Sequence, residues 1–218
     1  MRSTAIKRPL SQWQVGLDSF CGMRKRTIVL AALAGAAVLT APTTASASSA
    51  SQVSTASGVK TVSFRGMNLK VPSSWEVHRD GDWMLVTSGR CDTPAYFAPK
   101  CDGFWILGPK AIKYGKEGFG AYKGDQPFYP ASDVQACPFS AKTGQVIGKP
   151  TALGVRQVGR GHKAKYVSWF GRCVKHGNGE QTATFNQREW FLPTSKILVV
   201  DVWNTPGLSN ILKKATWS

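Results

Sequence analysis

The chain has 218 residues, and 28 Lys and Arg against 12 Asp and Glu give it a net charge of +16. The length suits one domain with a real core behind an N-terminal extension, and the sequence holds neither an internal repeat nor a coiled-coil pattern, which excludes repeat arrays and long helical rods. So basic a balance implies attraction to anionic partners (nucleic acid, anionic wall polymers, acidic lipid or acidic proteins) without choosing among them, and a basic exterior also serves solubility.

The N-terminal region carries an export pattern. Residues 1–22 are polar and precede a second Met at position 23, so they are either a start assigned too early or a long n-region. Arg24, Lys25 and Arg26 supply positive charge, and residues 28–39 are twelve positions that are all apolar, Ala or Gly. Pro42 then breaks the run, and Ala45-Ser46-Ala47 has the small-x-small form of a cleavage site. The pattern predicts an N-terminal extension and signal peptide over residues 1–47, cut after Ala47, which leaves 171 residues. A membrane-spanning helix needs about 20 apolar residues, and this run is shorter and is followed by Thr43, Thr44 and Ser46. Cys21 precedes the apolar run instead of closing it, so a lipoprotein is not expected. The expected product is secreted, with no transmembrane segment.

The mature part keeps 22 Lys and Arg against 11 Asp and Glu, a net charge of +11. It also keeps four cysteines, Cys91, Cys101, Cys137 and Cys173. An even count in an exported chain reads as two disulfides. The spacings fit no zinc finger or ribbon, so no metal is expected. Of the three possible pairings, Cys91–Cys101 with Cys137–Cys173 is preferred, because the first pair brackets a short Pro-containing loop.

Residues 48–58 are Ser-, Ala- and Thr-rich and read as a flexible leader to one globular domain over 59–218. Val62 and Phe64 alternate, Arg65-Gly66 can turn, and Met67, Leu69 and Val71 alternate again, which is a hairpin ending at Pro72. Short strands are expected over 75–77, 83–87 and 104–107. Residues 115–124 are glycine-rich and 127–138 have no clear period, so both read as loop. Strand pattern returns with Leu153, Val155 and Val158, then over 165–173, 188–192 and 197–203. The last is largely apolar and is expected at the centre of a sheet. One helix is expected near the end, capped by Thr205 with Pro206 at its first position, with Leu208, Ile211 and Leu212 on its apolar face and Lys213-Lys214 at its C-terminus. The reading is an α+β domain: mainly antiparallel sheet, a C-terminal helix and two disulfides.

Two stretches carry a resemblance. The first runs from Phe64-Arg65-Gly66 to Val71-Pro72-Ser73-Ser74-Trp75. The second runs from Trp190-Phe191-Leu192-Pro193 through Val200 to Ile211-Leu212-Lys213-Lys214-Ala215-Thr216-Trp217. Together they resemble secreted actinobacterial proteins of unknown function, whose hallmark is a glycine hairpin leading to Val-Pro-x-Ser-Trp. The same order is loosely similar to PsbP-like α+β domains, in which such a hairpin opens a twisted antiparallel sheet and a late helix packs on it. The resemblance covers both ends of residues 61–218, leaves residues 90–160 without support, and brings over no functional residue.

Few residues suggest chemistry. There are three histidines. His78, beside Arg79 and Asp80, reads as part of a solvated turn at a strand end, and His162 and His176 read as hairpin tips. A histidine pair with a carboxylate can do acid–base work on a phosphodiester, but no acid lies between Asp133 and Glu180. Asp92 and Asp102 each follow a cysteine and would be drawn together by a bridge, and paired acids cleave glycosides. Asp80-Gly81-Asp82 has too few ordered oxygens for calcium. Phe119, Tyr122, Phe128 and Tyr129 fall in the Gly- and Pro-rich middle and read as an exposed stacking surface for sugars or bases.

The clearest functional pattern is the acid-free stretch, which holds eight cations. Arg156, Arg160, Lys163, Lys165, Arg172 and Lys175 are the expected contact residues for an anionic partner. The expected function is a non-catalytic secreted module that binds an anionic or carbohydrate partner at the cell envelope, with no cofactor. The alternatives are an extracellular hydrolase of wall glycan or nucleic acid, and an inhibitor presenting the Cys91–Cys101 loop.

Overall fold

The structure is a computed structural model that describes residues 58–95 and 97–218. The expected signal peptide, its cleavage site, Cys21 and the leader up to residue 57 lie outside the described residues.

The described residues open with the expected hairpin. β1 (Val59–Phe64) pairs antiparallel with β2 (Met67–Pro72). Arg65 and Gly66 between them both have positive φ, 51° and 84°. That is the two-residue turn whose twist matches a hairpin, and glycine takes its second position without strain. Alternation then buries Val62, Phe64, Met67, Leu69 and Val71 on one side.

The next elements are β3 (Glu76–Asp80), β4 (Trp83–Cys91), β5 (Cys101–Leu107), the one-turn helix α1 (Pro109–Ile112) and β6 (Ala136–Cys137). They are followed by β7 (Ser140–Gln157), β8 (Lys163–Lys175), β9 (Gln181–Leu192) and β10 (Ile197–Asp201). The chain closes with α2 (Leu208–Lys213) and β11 (Thr216–Trp217). β3 to β10 form an eight-stranded antiparallel sheet in the order β3-β4-β5-β10-β9-β8-β7-β6, and β11 joins the β1–β2 hairpin as a third strand. The sheet, the short C-terminal helix and both bridges match the sequence reading. With helices of four and six residues the chain is largely sheet, so α+β describes it only loosely. Among the described residues no helix is long and apolar enough to cross a membrane.

β10 sits between β5 and β9, and all five of its residues are buried. Its continuous apolar run reflects cover on both faces. On one face the β1–β2 hairpin and α2 pack against Met84, Val86, Phe104, Ile106, Trp190 and Val199. On the other, α1 and the irregular segment after it place Ile112, Tyr122 and Phe128 against Leu85, Trp105, Leu198 and Phe191.

Two expectations change in detail. The helix does not begin at Thr205: its N-cap is Gly207 at φ 72°, and α2 starts at Leu208. The Thr205 hydroxyl instead donates to Asp201 at 3.1 Å. Asp201 is fully buried, pairs with Arg188 and also accepts from the Trp203 and Thr205 backbone N–H groups at 3.1–3.2 Å. It thus organises the whole turn into α2, a demand that outweighs a helix cap. His78 does not lie in a terminal turn either, because β3 runs on to Asp80 and places it mid-strand.

The bridges are Cys91–Cys101 and Cys137–Cys173. The first joins directly paired residues of β4 and β5. The second joins β6 to β8, with 5.4 Å between Cα atoms.

Candidate functional site

Antiparallel register carries side chains into rows across a sheet. His78 pairs with Leu85, Leu85 with Trp105 and Trp105 with Val200, so the four side chains share one face. One step along, Asp80 pairs with Trp83 and Trp83 with Leu107. The loop between Cys91 and Cys101 folds over this end of the sheet. Phe97 stacks on Trp105 with centroids 4.2 Å apart, and meets Trp83 edge-on at 6.2 Å and Phe128 at 5.8 Å.

Between the loop and edge strand β3 lies an open cleft of about 340 Å³. Its walls include His78, Asp80, Trp83, Pro94, Ala95 and Trp105. Trp105 is 1% exposed, and its indole Nε1 has no hydrogen-bond partner. His78 Nε2 lies 3.4 Å from a Glu76 carboxylate oxygen, an ion-pair contact if the ring is protonated, and makes no hydrogen bond. A buried donor left unpaired costs about 1–3 kcal/mol, so each such group asks for a reason. Here both belong to walls of one cleft. Aromatic faces beside a few polar groups are the makeup of a small-ligand site. Among the described residues no three His, Cys, Asp or Glu side chains converge as a metal cage would require.

The same sheet face carries a buried carboxylate two strands away from Trp105. Glu189 is fully buried on the same sheet face. It accepts from the Tyr122 hydroxyl (2.5 Å), the Phe128 backbone N–H (2.7 Å), the Gln187 amide (2.7 Å) and the Trp169 indole (2.9 Å). Burial pushes its carboxyl above the ordinary value, and the four donated bonds offset this only in part. Burial, then the neighbouring Glu189, pushes the Tyr122 hydroxyl up as well, so it stays a donor. A raised folded-state value means that the folded protein binds more protons than the unfolded chain. The stability owed to Glu189 is therefore full below its ordinary value of 4.5 and is lost as pH rises through the raised one. Urea midpoints of wild type and Glu189→Gln should thus draw closer as pH increases from 4.5. Midpoints that move apart would mean that the hydrogen bonds outweigh burial.

This clamp corrects the reading of the middle segment. Tyr122 and Phe128 are buried at 2% and 1% and do not form a stacking surface with Phe119 and Tyr129. Phe119 alone of the four is fully open, and Tyr129 is half-buried with its hydroxyl donating to the Asp133 carbonyl.

The basic residues fall into two groups. Lys163 and Lys165 begin β8 and share a face, and Arg160 lies in the turn before them. Arg156 pairs across with Ala164 and so points to the opposite face, its guanidinium 4.8 Å above the Tyr166 ring. Arg172 and Lys175 lie toward the other end of β8, about 30–40 Å from Lys163 at ~3.3 Å per residue. Lys175 pairs with Glu180 at 2.9 Å. The structure thus gathers Arg156, Arg160, Lys163 and Lys165 around one hairpin tip and leaves Arg172 and Lys175 apart.

The other candidates stay outside this cleft. His162 stacks on Trp217 at 3.8 Å, and the Trp217 indole donates to the Val158 carbonyl at 2.8 Å, tying the chain end to the β7–β8 tip. His176 packs beside Gly144. Asp92 takes both bonds of Arg90, at 2.9 and 2.8 Å, and this pairing holds its carboxyl below the usual range. Asp102 lies against Gly89.

Sequence reasoning missed the cleft because Trp83 and Trp105 read as core strand residues and His78 as turn. Glu189 did carry a signal. Gln187, Glu189 and Phe191 alternate on one face, which puts an acid in an inward row.

Comparison with protein-family models, with curated proteins and with solved structures finds no match for this chain.

Proposed function

We propose that this is an exported, non-catalytic binding protein that holds a carbohydrate of the cell envelope in the Trp83–Trp105 cleft. The observation that carries the reading is an aromatic cleft walled by Trp83 and Trp105, beside which the Trp105 indole N–H is buried without a hydrogen-bond partner. A sugar offers an apolar C–H face to a ring and hydroxyl oxygens to a stranded donor. Its hydroxyls also suit Asp80 and His78. The strong positive charge serves a separate purpose, concentrating the protein at an anionic envelope by long-range attraction. Export fits the N-terminal pattern and the two disulfides, which persist in oxidising compartments. It also agrees with the resemblance to secreted actinobacterial proteins.

The test is calorimetric titration with a disaccharide of N-acetylglucosamine and N-acetylmuramic acid. Wild type should bind, and Trp83→Ala should weaken binding about ten-fold or more, because a stacked ring contributes ~1–3 kcal/mol. Asp80→Asn, at an exposed position, should weaken binding without affecting folding. Equal affinity for all three proteins would remove the cleft from the account.

A hydrolase is the second reading, favoured by one observation: His78 and Asp80 line the same cleft. It requires reducing ends to be released from wall glycan, and this release to stop in His78→Ala. Binding without release supports the non-catalytic reading.

A further inference from the structure

β7 is the longest strand, with 18 residues, and it is bonded unevenly. On its inner side it pairs with β8 from Thr143 to Gln157, with register shifts on both sides of Pro150. On its outer side β6 reaches only Ser140 and Gly144, and the Gln145 N–H is taken by the Gln135 carbonyl. Beyond Gln145, no described strand pairs with the outer side of β7. Residues 148–157 are all exposed. Lys149 and Pro150 guard the start of this stretch in the manner of natural edge strands. The register shifts there and then runs unbroken from Ala152↔Ser168 to Gln157↔Lys163. The result is an edge without a neighbouring described strand, about 20 Å long at ~3.4 Å per residue, along which the Arg156 guanidinium donates to the Val155 carbonyl at 3.1 Å.

Two features say what fits it. Leu153 and Val155 stand two apart on one face of the strand and are 66% and 60% exposed. An added strand with apolar residues at alternate positions would cover both. The charges around the edge are Lys149, Arg156, Arg160, Lys163 and Lys165, with no acid between Asp133 and Glu180. A second copy would bring these cations against their own kind, whereas an acidic chain would neutralise them. A glycan or a nucleic acid could use the charge but does not offer the regular alternation of N–H and C=O groups that continues a strand ladder.

We propose that residues 152–157 accept an extended acidic polypeptide as an added antiparallel or parallel strand, with Arg156, Lys163 and Lys165 selecting for acid. The main-chain ladder supplies affinity, and the flanking side chains supply choice. This goes beyond the carbohydrate reading and does not depend on the cleft.

The experiment uses the mature chain and a capped ten-residue peptide of alternating valine and glutamate. Controls are the valine–lysine peptide, the valine–glutamate peptide N-methylated at alternate amides, and inorganic polyphosphate. Hydrogen exchange reports the backbone, and titration reports affinity. The expected result is slowed exchange confined to residues 146–157. Affinity should drop at least ten-fold for the N-methylated peptide, for the lysine peptide and for the Arg156→Glu/Lys163→Glu variant. These are exposed positions, so circular dichroism should show the variant folded. Equal affinity for the N-methylated peptide, or polyphosphate binding that displaces the peptide without changing exchange, would reduce the surface to charge alone and overturn the proposal. Protection of residues 146–157 that grows with protein concentration in the absence of peptide would assign the edge to a second copy and overturn it as well.

Discussion

Glu189→Ala should destabilise the protein by about 3–5 kcal/mol in urea unfolding. The substitution strands four donors: the Tyr122 hydroxyl, the Phe128 N–H, the Gln187 amide and the Trp169 indole. Each buried donor without an acceptor costs about 1–3 kcal/mol, less whatever entering water recovers. Such a loss is a large part of the ~5–15 kcal/mol that holds a typical domain together. Its location is also specific. Tyr122 and Phe128 belong to the irregular cover, whereas Trp169 and Gln187 belong to the sheet, so the carboxylate is the pin between them. Hydrogen exchange should therefore quicken first in residues 115–130. Glu189→Gln keeps the shape but turns an amide N–H₂ toward donors, and it should fall between wild type and alanine. A loss below about 1 kcal/mol for alanine would show that the four bonds contribute no net stability.

Removing the Cys137–Cys173 bridge is the second large effect. Its closed loop spans a sequence separation of 36, against 10 for Cys91–Cys101. Loop-closure entropy then assigns about 4 kcal/mol to the first and about 3 kcal/mol to the second. Strand geometry widens the gap. Cys91 and Cys101 already face each other in a paired ladder, whereas Cys137 belongs to a strand of only two residues. Cys137→Ser/Cys173→Ser should therefore lower the urea midpoint more than Cys91→Ser/Cys101→Ser. The latter should act locally, loosening the loop that carries Phe97, Pro94 and Ala95 and weakening binding in the cleft. The reverse order of midpoints would show that the β6 end is held by packing and not by its bridge.

The legible parts of the fold are those written in local pattern. The Arg65-Gly66 hairpin, the alternation of β8 and the apolar run of β10 each announce themselves within a few residues, as does the Leu208–Leu212 face of α2. Less legible was whatever depends on register between distant strands. Nothing near His78 says that it will share a row with Trp105, because that row is set by two ladders at once. The Gly- and Pro-rich middle misleads for a related reason. Its loop composition is real, but Tyr122 and Phe128 are claimed by Glu189, 67 and 61 positions away. The basic segment was easy to see as charge and hard to see as surface. Alternation on β7 and β8 divides Arg156 from Lys163 and Lys165, and strand length carries Arg172 away from both.

The proposed function requires the Trp105 indole N–H to take a ligand as its hydrogen-bond partner. It is tested most directly by following that one resonance in ¹⁵N-labelled protein during titration with the N-acetylglucosamine–N-acetylmuramic acid disaccharide. A hydrogen bond to a sugar oxygen should move the Trp105 signal downfield in proportion to saturation. The Trp190 indole, whose ring is buried in the opposite core layer, should stay in place. Binding that saturates while the Trp105 signal remains fixed, or no binding at millimolar sugar, would contradict the account.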